Sequence, residues 1–445
     1  MMLREIPDYI DLKFTLELPE IIISQRKQNN PNIYTGPGSI YQNKNGQLLL
    51  KLYSKSSESS TSFFNNNLEP GKIIADKEYY NVKALDMYGH TWVSNRVRID
   101  KHYGQGGKYL IIFSRINQIG SEQELREIEI NSSLTLFLNK KIKLPSAPFI
   151  EDKTILENKF YKNVRIFSNL LIRDYKITFL ERSNWIEILA SSRKSKLPEN
   201  IDLRICEALQ FITFTKLNWF YYEKFEGKTN NQKLNNINFY NINRGSTPPF
   251  RINFTSSEPN WRLFKLYLDH ILDYTIPNKY HPISSLLNLI IQAEKLPIET
   301  RFQTICICVE SILNSEFDLE IEVDSKLKEN QTNIVRFIDE KVDKEYRDRL
   351  QALVAQLSNT RPVDKLYSLA NDKLIEERLI KDWKDLRHRI IHGERIQTER
   401  LQDYMNKYYS SLTLFYKLIF IKIRYVGLYT DYSISGWPNR EIKKT

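Results

Sequence analysis

The chain has 445 residues and a mass of 52.9 kDa, which is long for one domain and sufficient for two or three. Its content of 41% hydrophobic and 27% charged residues excludes an intrinsically disordered protein. An excess of 65 Lys and Arg over 54 Asp and Glu gives a formal net charge of +11, which favours a polyanionic partner in a general way.

The first half of the chain is predicted to be rich in β-strands. Its apolar runs are short, often alternate with polar residues, contain many Tyr, Val and Ile, and are separated by clusters of Asn, Gly and Ser. The clearest runs cover residues 47–53, 81–88, 91–99 and 108–114, and further strands are predicted within 128–138 and 164–189. This pattern predicts an antiparallel sandwich or barrel that extends to about residue 190.

A helix near residues 200–215 and a strand at 219–225 are predicted next. The aromatic cluster Trp219 to Tyr222 could stack nucleic-acid bases, but packing in a core is the favoured interpretation. The segment 230–260 has low hydrophobicity and contains Gly and Pro, so it is predicted to be the domain boundary. We therefore predict a β-rich sensing or regulatory region at 1–245, a helical domain at 259–430 and a tail at 431–445.

The chain is predicted to be a cytoplasmic protein without a membrane segment. Its first residues contain no apolar run suited to secretion. The most hydrophobic stretch, 412–426, is interrupted by Lys417, Lys422 and Arg424 and predicts a packed helix. Three cysteines are too few for a disulfide framework, so buried thiols in a reducing compartment are expected.

A short motif near the C-terminus carries most of the functional information. Leu379, Trp383, Leu386 and Ile390 recur at intervals of three and four residues, which predicts a helix from about 375 to 391. Gly393 follows directly, where glycine is the usual residue for ending a helix in a left-handed conformation. At about 100° per residue, His388 and His392 lie on nearly one face, with Arg387 on its flank.

These three side chains suit the cleavage of a phosphodiester. Histidine exchanges protons near neutral pH, and arginine offers a planar fork of donors to phosphate oxygens. The same spacing of arginine and histidine, however, also occurs on ordinary solvent-exposed helix surfaces, so spacing alone does not identify a site. Local charge adds little, because eight basic residues face seven acidic ones between Asp372 and Arg400.

The segment 383–394 resembles the signature of HEPN domains, in which arginine and a polar residue are followed after three more residues by histidine. With Gly393 after the histidine, it is similar to the ApeA-type branch of bacterial anti-phage proteins. Arg301-Phe302 and the run from Val309 to Leu313 resemble an earlier helix of that branch. The resemblance covers roughly residues 259–429, and a β-rich half before a helical half is also the ApeA-like layout.

The resemblance implies an all-α HEPN-like bundle after the β-rich half, an α+β protein in two parts. It implies a metal-independent endoribonuclease that cleaves RNA through the ribose 2′-hydroxyl at a site shared by two protomers, with no cofactor. Arg387 and His392 would be the catalytic pair, and His388 the polar residue between them. Glu310 matches a weakly specified acidic position and is predicted to support the site. Arg389 and Lys384 are predicted to help bind substrate.

Several alternatives remain open at this stage. The helical half could be a catalytically inactive HEPN-like module that dimerises and binds RNA or a nucleotide. It could also be the toxin of a toxin–antitoxin pair, with the antitoxin as a partner. The trigger could be phage-derived or a nucleotide, and the ligand of the β-rich half is open. The acidic run 316–324 lacks the glycine turn of an EF-hand and predicts a strand edge or exposed loop, so no metal site is assigned.

Overall fold

The structure is a computed structural model that describes residues 6–27, 29–55, 71–105, 109–139, 144–145, 150–156, 159–182, 185–192, 196–237, 246–251, 257–318, 325–355, 361–391, 393 and 396–443. The chain divides into two compact units. The first, here the β unit, comprises Met1–Ser246, Ile252–Trp261 and Thr275–Asn278. The second, here the helical unit, comprises Thr247–Arg251, Arg262–Tyr274 and Lys279–Thr445. The predicted α+β fold class in two parts is confirmed.

Twelve strands of the described residues form the β unit, and all of their pairings are antiparallel. They are β1 (Thr15–Gln25), β2 (Ile33–Gln42), β3 (Leu48–Lys55), β4 (Tyr80–Leu85), β5 (Thr91–Gln105), β6 (Tyr109–Ile116), β7 (Gln118–Asn139), β8 (Ile150–Leu156), β9 (Lys159–Ile172), β10 (Tyr175–Glu181), β11 (Trp185–Ser192) and β12 (Tyr221–Asn235). Two helices accompany them, α1 (Ile6–Ile10) and α2 (Ile201–Thr213).

The first six strands close into a barrel. They follow the order β4-β1-β2-β3-β6-β5, and β5 pairs again with β4, so the ring has no free edge. Inward-facing side chains such as Leu18, Ile40, Leu50, Val82 and Ile112 are fully buried and fill it. The alternation seen in the sequence therefore corresponds to an inside and an outside of this barrel.

A second part of the sheet continues from β5 through β7, β11, β10 and β9 to β8, and β12 also pairs with β7. Phe220 and Tyr221 pack in the same core as the barrel residues, as predicted for the aromatic cluster. The predicted boundary was wrong at its start, because β12 extends to Asn235. Polar residues of this strand are buried and bonded to one another, since Gln232 donates to Glu223 at 2.7 Å, and hydrophobicity does not detect such a strand.

The helical unit contains most of α3 (Glu258–Ile271) together with seven further helices and a hairpin among its described residues. The helices are α4 (Pro282–Ala293), α5 (Ile298–Glu316), α6 (Ser325–Lys341), α7 (Lys344–Ala355), α8 (Pro362–Asn371), α9 (Glu377–Ile391) and α10 (Leu401–Lys422), and the hairpin strands are β13 (Gly427–Thr430) and β14 (Asn439–Ile442). The segment assigned from sequence as a tail thus contributes β14.

Helix α5 lies at the centre of this unit. It packs against α4, α8, α9 and α10, and its buried side chains include Phe302, Ile305, Cys306, Val309 and Ile312. Burial on several sides explains why the hydrophobic residues of α5 do not form one narrow stripe. Among the described residues, no helix is both long and apolar enough to cross a bilayer.

Candidate functional site

Helix α9 carries the motif and is formed as the sequence predicts. Leu379, Trp383 and Leu386 are buried, and Ile390 is partly buried at the end of the same stripe. Gly393 has a φ of +67°, and its N–H donates to the carbonyl of Ile390 at 3.1 Å. A residue with a Cβ is disfavoured in this conformation, so glycine is suited to ending the helix here.

Arg387 forms a bidentate pair with Glu310 of α5. Its Nε donates to Oε2 at 2.9 Å and its Nη2 to Oε1 at 3.4 Å. The two side chains are 39% and 33% exposed, so the pair lies at the surface and remains open to an incoming ligand. The structure thus brings together two residues that are 77 positions apart in the chain and that belong to the two separately noted segments.

Trp383 positions Arg387 from below. The guanidinium carbon lies 5.9 Å from the centre of the indole ring, one helical turn away, within the range of a cation–π interaction. The indole Nε1 donates to the backbone carbonyl of Cys306 at 3.4 Å. This bond links α9 to α5 at the level of the pair, so Trp383 has a second role beyond the apolar stripe that revealed it in the sequence.

Of the two histidines of the motif, the structure describes His388 but not His392. His388 is exposed at the last turn of α9, next to Arg387 in the chain. His392 lies outside the described residues, so its position rests on the sequence. The described part of the site therefore consists of Arg387, Glu310, Trp383 and His388.

The two predicted substrate-binding cations have different surroundings. Arg389 is only 17% exposed and is paired with Asp385 at 3.0 Å and Asp403 at 3.3 Å. Its guanidinium also lies over the ring of Tyr404. These contacts commit Arg389 to joining α9 and α10, which argues against a phosphate-binding role. Lys384 is exposed and lies 5.6 Å from the ring of Tyr367.

The upstream residues that resemble the family all lie on α5, but those at its start and those further along have different contacts. At its start, Arg301 donates to Glu294 at 3.4 Å, and Tyr408 also donates to that carboxylate. Phe302 beside it is fully buried. Further along the helix, Glu310 pairs with Arg387 of the motif on α9. Sequence reasoning missed the Glu294 cluster, because no spacing relates these three residues.

The cysteines near the site are structural. Burial raises the pKa of both Cys306 and Cys308 to about 12, so their thiols stay protonated near neutral pH and are poor nucleophiles. Within the described residues, no three His, Cys, Asp or Glu side chains are grouped so that they could hold a metal ion. The acidic run 316–324 is described only as far as Asp318, and the rest lies outside the described residues.

Comparisons with protein-family models, with curated proteins and with solved structures gave no match for this chain.

Proposed function

We propose that the protein is a metal-independent endoribonuclease of the HEPN type that acts as an effector of bacterial anti-phage defence, of the abortive-infection or toxin kind. The bidentate pair of Arg387 and Glu310 is the observation that carries this proposal. Two segments were matched to the family independently, and a functional site requires that they meet in space. If these residues were only solvent-exposed positions on two helices, there would be no reason to expect them to be in contact.

The proposed reaction is a transesterification. His392 removes the proton from the ribose 2′-hydroxyl, and the 2′-oxygen forms a bond to phosphorus while the bond from phosphorus to the 5′-oxygen breaks. The leaving oxygen takes up a proton from His388 or from a histidine of a second protomer. The products are a 2′,3′-cyclic phosphate and a 5′-hydroxyl, so neither water nor a metal ion is consumed.

Arg387 would stabilise the negative charge that develops on the phosphate oxygens. Glu310 occupies two of its five guanidinium N–H groups and fixes the plane of the fork. The remaining three have no partner among the described residues and are available to a phosphate. An arginine oriented in advance stabilises a transition state better than one that must reorganise during the reaction.

A second protomer would complete the site. Helices α6 and α7 contact each other, and each exposes large apolar side chains that nothing covers among the described residues: Ile334, Phe337, Tyr346, Leu350 and Leu353. On α7 these residues recur at intervals of four and three, so they form a single stripe. Such a face supports self-association of the helical unit.

The test is RNA cleavage by purified wild type, Arg387→Ala and His392→Ala. We expect both variants to lose cleavage and cellular toxicity, and wild-type cleavage to survive EDTA. Sequencing of the RNA ends should find cyclic phosphates at discrete sites that are absent with His392→Ala. Unchanged cleavage in both variants would rule out the motif as the active site, and complete loss in EDTA would indicate a metal-dependent nuclease.

A catalytically inactive RNA-binding or nucleotide-binding module is the second candidate. The observation in its favour is that Glu310 partly neutralises the charge of Arg387, which weakens attraction for a phosphate. Wild-type protein that binds labelled RNA and never shortens it, with or without phage lysate, would establish this alternative.

A further inference from the structure

A cavity of about 550 Å³ lies at the start of α9, in the helical unit. It is bounded by the ends of α8 and α10 and by the hairpin of β13 and β14. Its size is that of a small-molecule site, and it is separate from the candidate ribonuclease site. Glu376 in its wall precedes Arg387 by eleven residues, which is about 16 Å along a helix.

The rim of this cavity is strongly basic. Lys373, Arg424 and Lys443 are exposed there, and no carboxylate among the described residues is paired with any of them. Arg440 also lines the cavity, with Nε 3.4 Å from Asp431. Deeper in the wall, Lys417 pairs with Glu376 at 2.9 Å, so that charge is locally balanced. Glu441 is also exposed in the lining, so these three exposed cations stand against one exposed carboxylate and the mouth carries a net positive charge.

The interior of the cavity is partly apolar, and the aromatic side chains beside it are almost fully buried. Phe420, Tyr425 and Tyr429 are buried side chains in its lining, and Leu374 and Ile421 are partly exposed to it. The hydroxyl of Tyr425 donates to the carbonyl of Leu428 at 2.6 Å, so its ring is held in place. A ligand that fits this cavity would place negative charge at the mouth and a flat or apolar group inside.

Two of the rim cations occupy backbone positions where glycine is normally preferred. Lys373 has a φ of +60° and Arg424 a φ of +52°. Each follows a helix and completes the same cap: Lys373 and Leu374 donate to the carbonyls of Ala370 and Leu369. Arg424 and Tyr425 donate to those of Ile421 and Phe420 in the same pattern.

A positive φ at a basic residue does not by itself indicate a binding site, because Lys27, Arg96 and Arg173 share it away from this cavity. A basic residue in the last turn would interact favourably with the helix dipole as well as one at the capping position does. It would also avoid the left-handed backbone conformation, which is unfavourable for a residue with a Cβ. What the two cap residues share is the cavity that both line. Lys373 and Arg424 follow two different helices and both line this one cavity, which suits the binding of a phosphate.

We propose that this cavity binds a nucleoside phosphate, with its phosphates on Lys373 and Arg424 and its base against the apolar interior. The proposal does not depend on the ribonuclease assignment. Inorganic phosphate alone would leave the apolar side chains of Leu374 and Ile421 without a contact. A mononucleotide has the size, charge and ring that match the volume, mouth and lining together.

The experiment is isothermal titration of the full chain with ATP, AMP, adenosine and inorganic triphosphate. We expect ATP to bind more tightly than AMP, and adenosine and triphosphate each to bind at least about tenfold more weakly than ATP. In the double variant Lys373→Gly and Arg424→Gly, ATP affinity should fall at least about tenfold. The melting temperature should stay at or above that of wild type, because glycine suits both backbone positions.

Arg173→Gly is the matched control. Arg173 also has a positive φ, of +52°, but lies in the turn between β9 and β10 of the β unit. It should leave ATP binding unchanged. The proposal is overturned if wild type binds none of the ligands, if the double variant binds ATP as wild type does, or if triphosphate binds as tightly as ATP. Binding of short RNA through these cations, without binding of mononucleotides, would also overturn it.

Discussion

Glu310 holds the guanidinium of Arg387 through two nitrogens, at 2.9 Å to Nε and 3.4 Å to Nη2. The pair joins the third turn of α9 to the second half of α5 and lies above Trp383. Because both side chains are partly exposed, the pair contributes little to stability, roughly 0–1 kcal/mol. Its geometry is therefore better explained by a requirement on the orientation of Arg387 than by a requirement of the fold.

Glu310→Gln is the first prediction. The amide keeps the size of the side chain but offers one acceptor oxygen where the carboxylate offers two, so the fork of Arg387 is no longer fixed. We expect RNA cleavage to fall by about tenfold or more, through kcat, with an unfolding free energy within about 1 kcal/mol of wild type. Single-turnover cleavage and urea unfolding measure the two quantities.

Glu377→Gln is the control for this variant. Glu377 makes an exposed ion pair with Lys381 on the same helix, at 3.6 Å, and is remote from the motif. Its loss should leave cleavage unchanged. Equal cleavage by Glu310→Gln and wild type would show that Arg387 does not need its partner.

Arg389→Ala should affect stability and spare the chemistry. Arg389 is mostly buried and pairs with one carboxylate on α9 and another on α10. Removing it leaves Asp385 and Asp403 with Lys407 as their common partner. We expect a loss of about 1–2 kcal/mol in urea unfolding, with cleavage per folded molecule unchanged. An unchanged unfolding curve together with lost RNA binding would restore the role in substrate binding inferred from the sequence.

Periodicity was sufficient to predict most elements that bury one apolar face. Strands β3, β4 and β6 and helix α9 have this property, and each was predicted within a few residues of its observed bounds, whereas β1 and β2 of the barrel were not predicted. β12 continues beyond its predicted end, and its polar residues Asn230 and Gln232 are buried there, where their amide nitrogens donate to Glu223 of the same strand. Such compensation depends on three-dimensional neighbours, which a single sequence does not contain.

The candidate site was predictable only in part for the same reason. A motif local in sequence identified Arg387 and His388, and the upstream match identified Glu310 as a supporting residue without indicating its partner. Arg389, two residues after Arg387, is held by Asp403 of α10, and this contact depends on helix packing. The cavity at the start of α9 is built from three separate segments, so no local pattern indicates it.

Acidification should lower the folding stability that the ion pair of Glu376 and Lys417 contributes in the wall of that cavity. Burial acts to raise the pKa of Glu376, but the hydrogen bond and charge of Lys417 outweigh it and hold the pKa below the ordinary value of 4.5. A lowered carboxyl pKa contributes stability above the unfolded-state value, and this contribution is lost as the pH falls through the folded-state value. We therefore expect Glu376→Gln to lower stability at pH 7 and to reduce the loss on acidification below about pH 4.5.

Urea unfolding of wild type and Glu376→Gln from pH 7 to pH 3 measures this effect. Asp364, whose pKa is also lowered by its neighbour Arg361, titrates in both proteins and cancels in the comparison. If the two stability curves stay parallel throughout the acidic range, the pair of Glu376 and Lys417 contributes nothing that depends on protonation.

Self-association through α6 and α7 is the last prediction. Phe337 is 61% exposed and Leu353 is 52% exposed, which is unusual for large apolar side chains on paired helices. In the double variant Phe337→Asp and Leu353→Asp, two carboxylates would have to be desolvated at the same interface. We expect dimer dissociation to increase at least about tenfold in sedimentation velocity, and RNA cleavage to fall in proportion to the dimer lost.

Asn333→Asp, at an exposed polar position of α6, is the control, because it adds one negative charge without removing apolar surface. It should dimerise and cleave RNA as wild type does. A dimer that persists in the double variant would place the interface on another face of the helical unit. A monomeric double variant with full cleavage would instead show that one protomer holds a complete site, so that both proton transfers must come from His388 and His392 of the same chain.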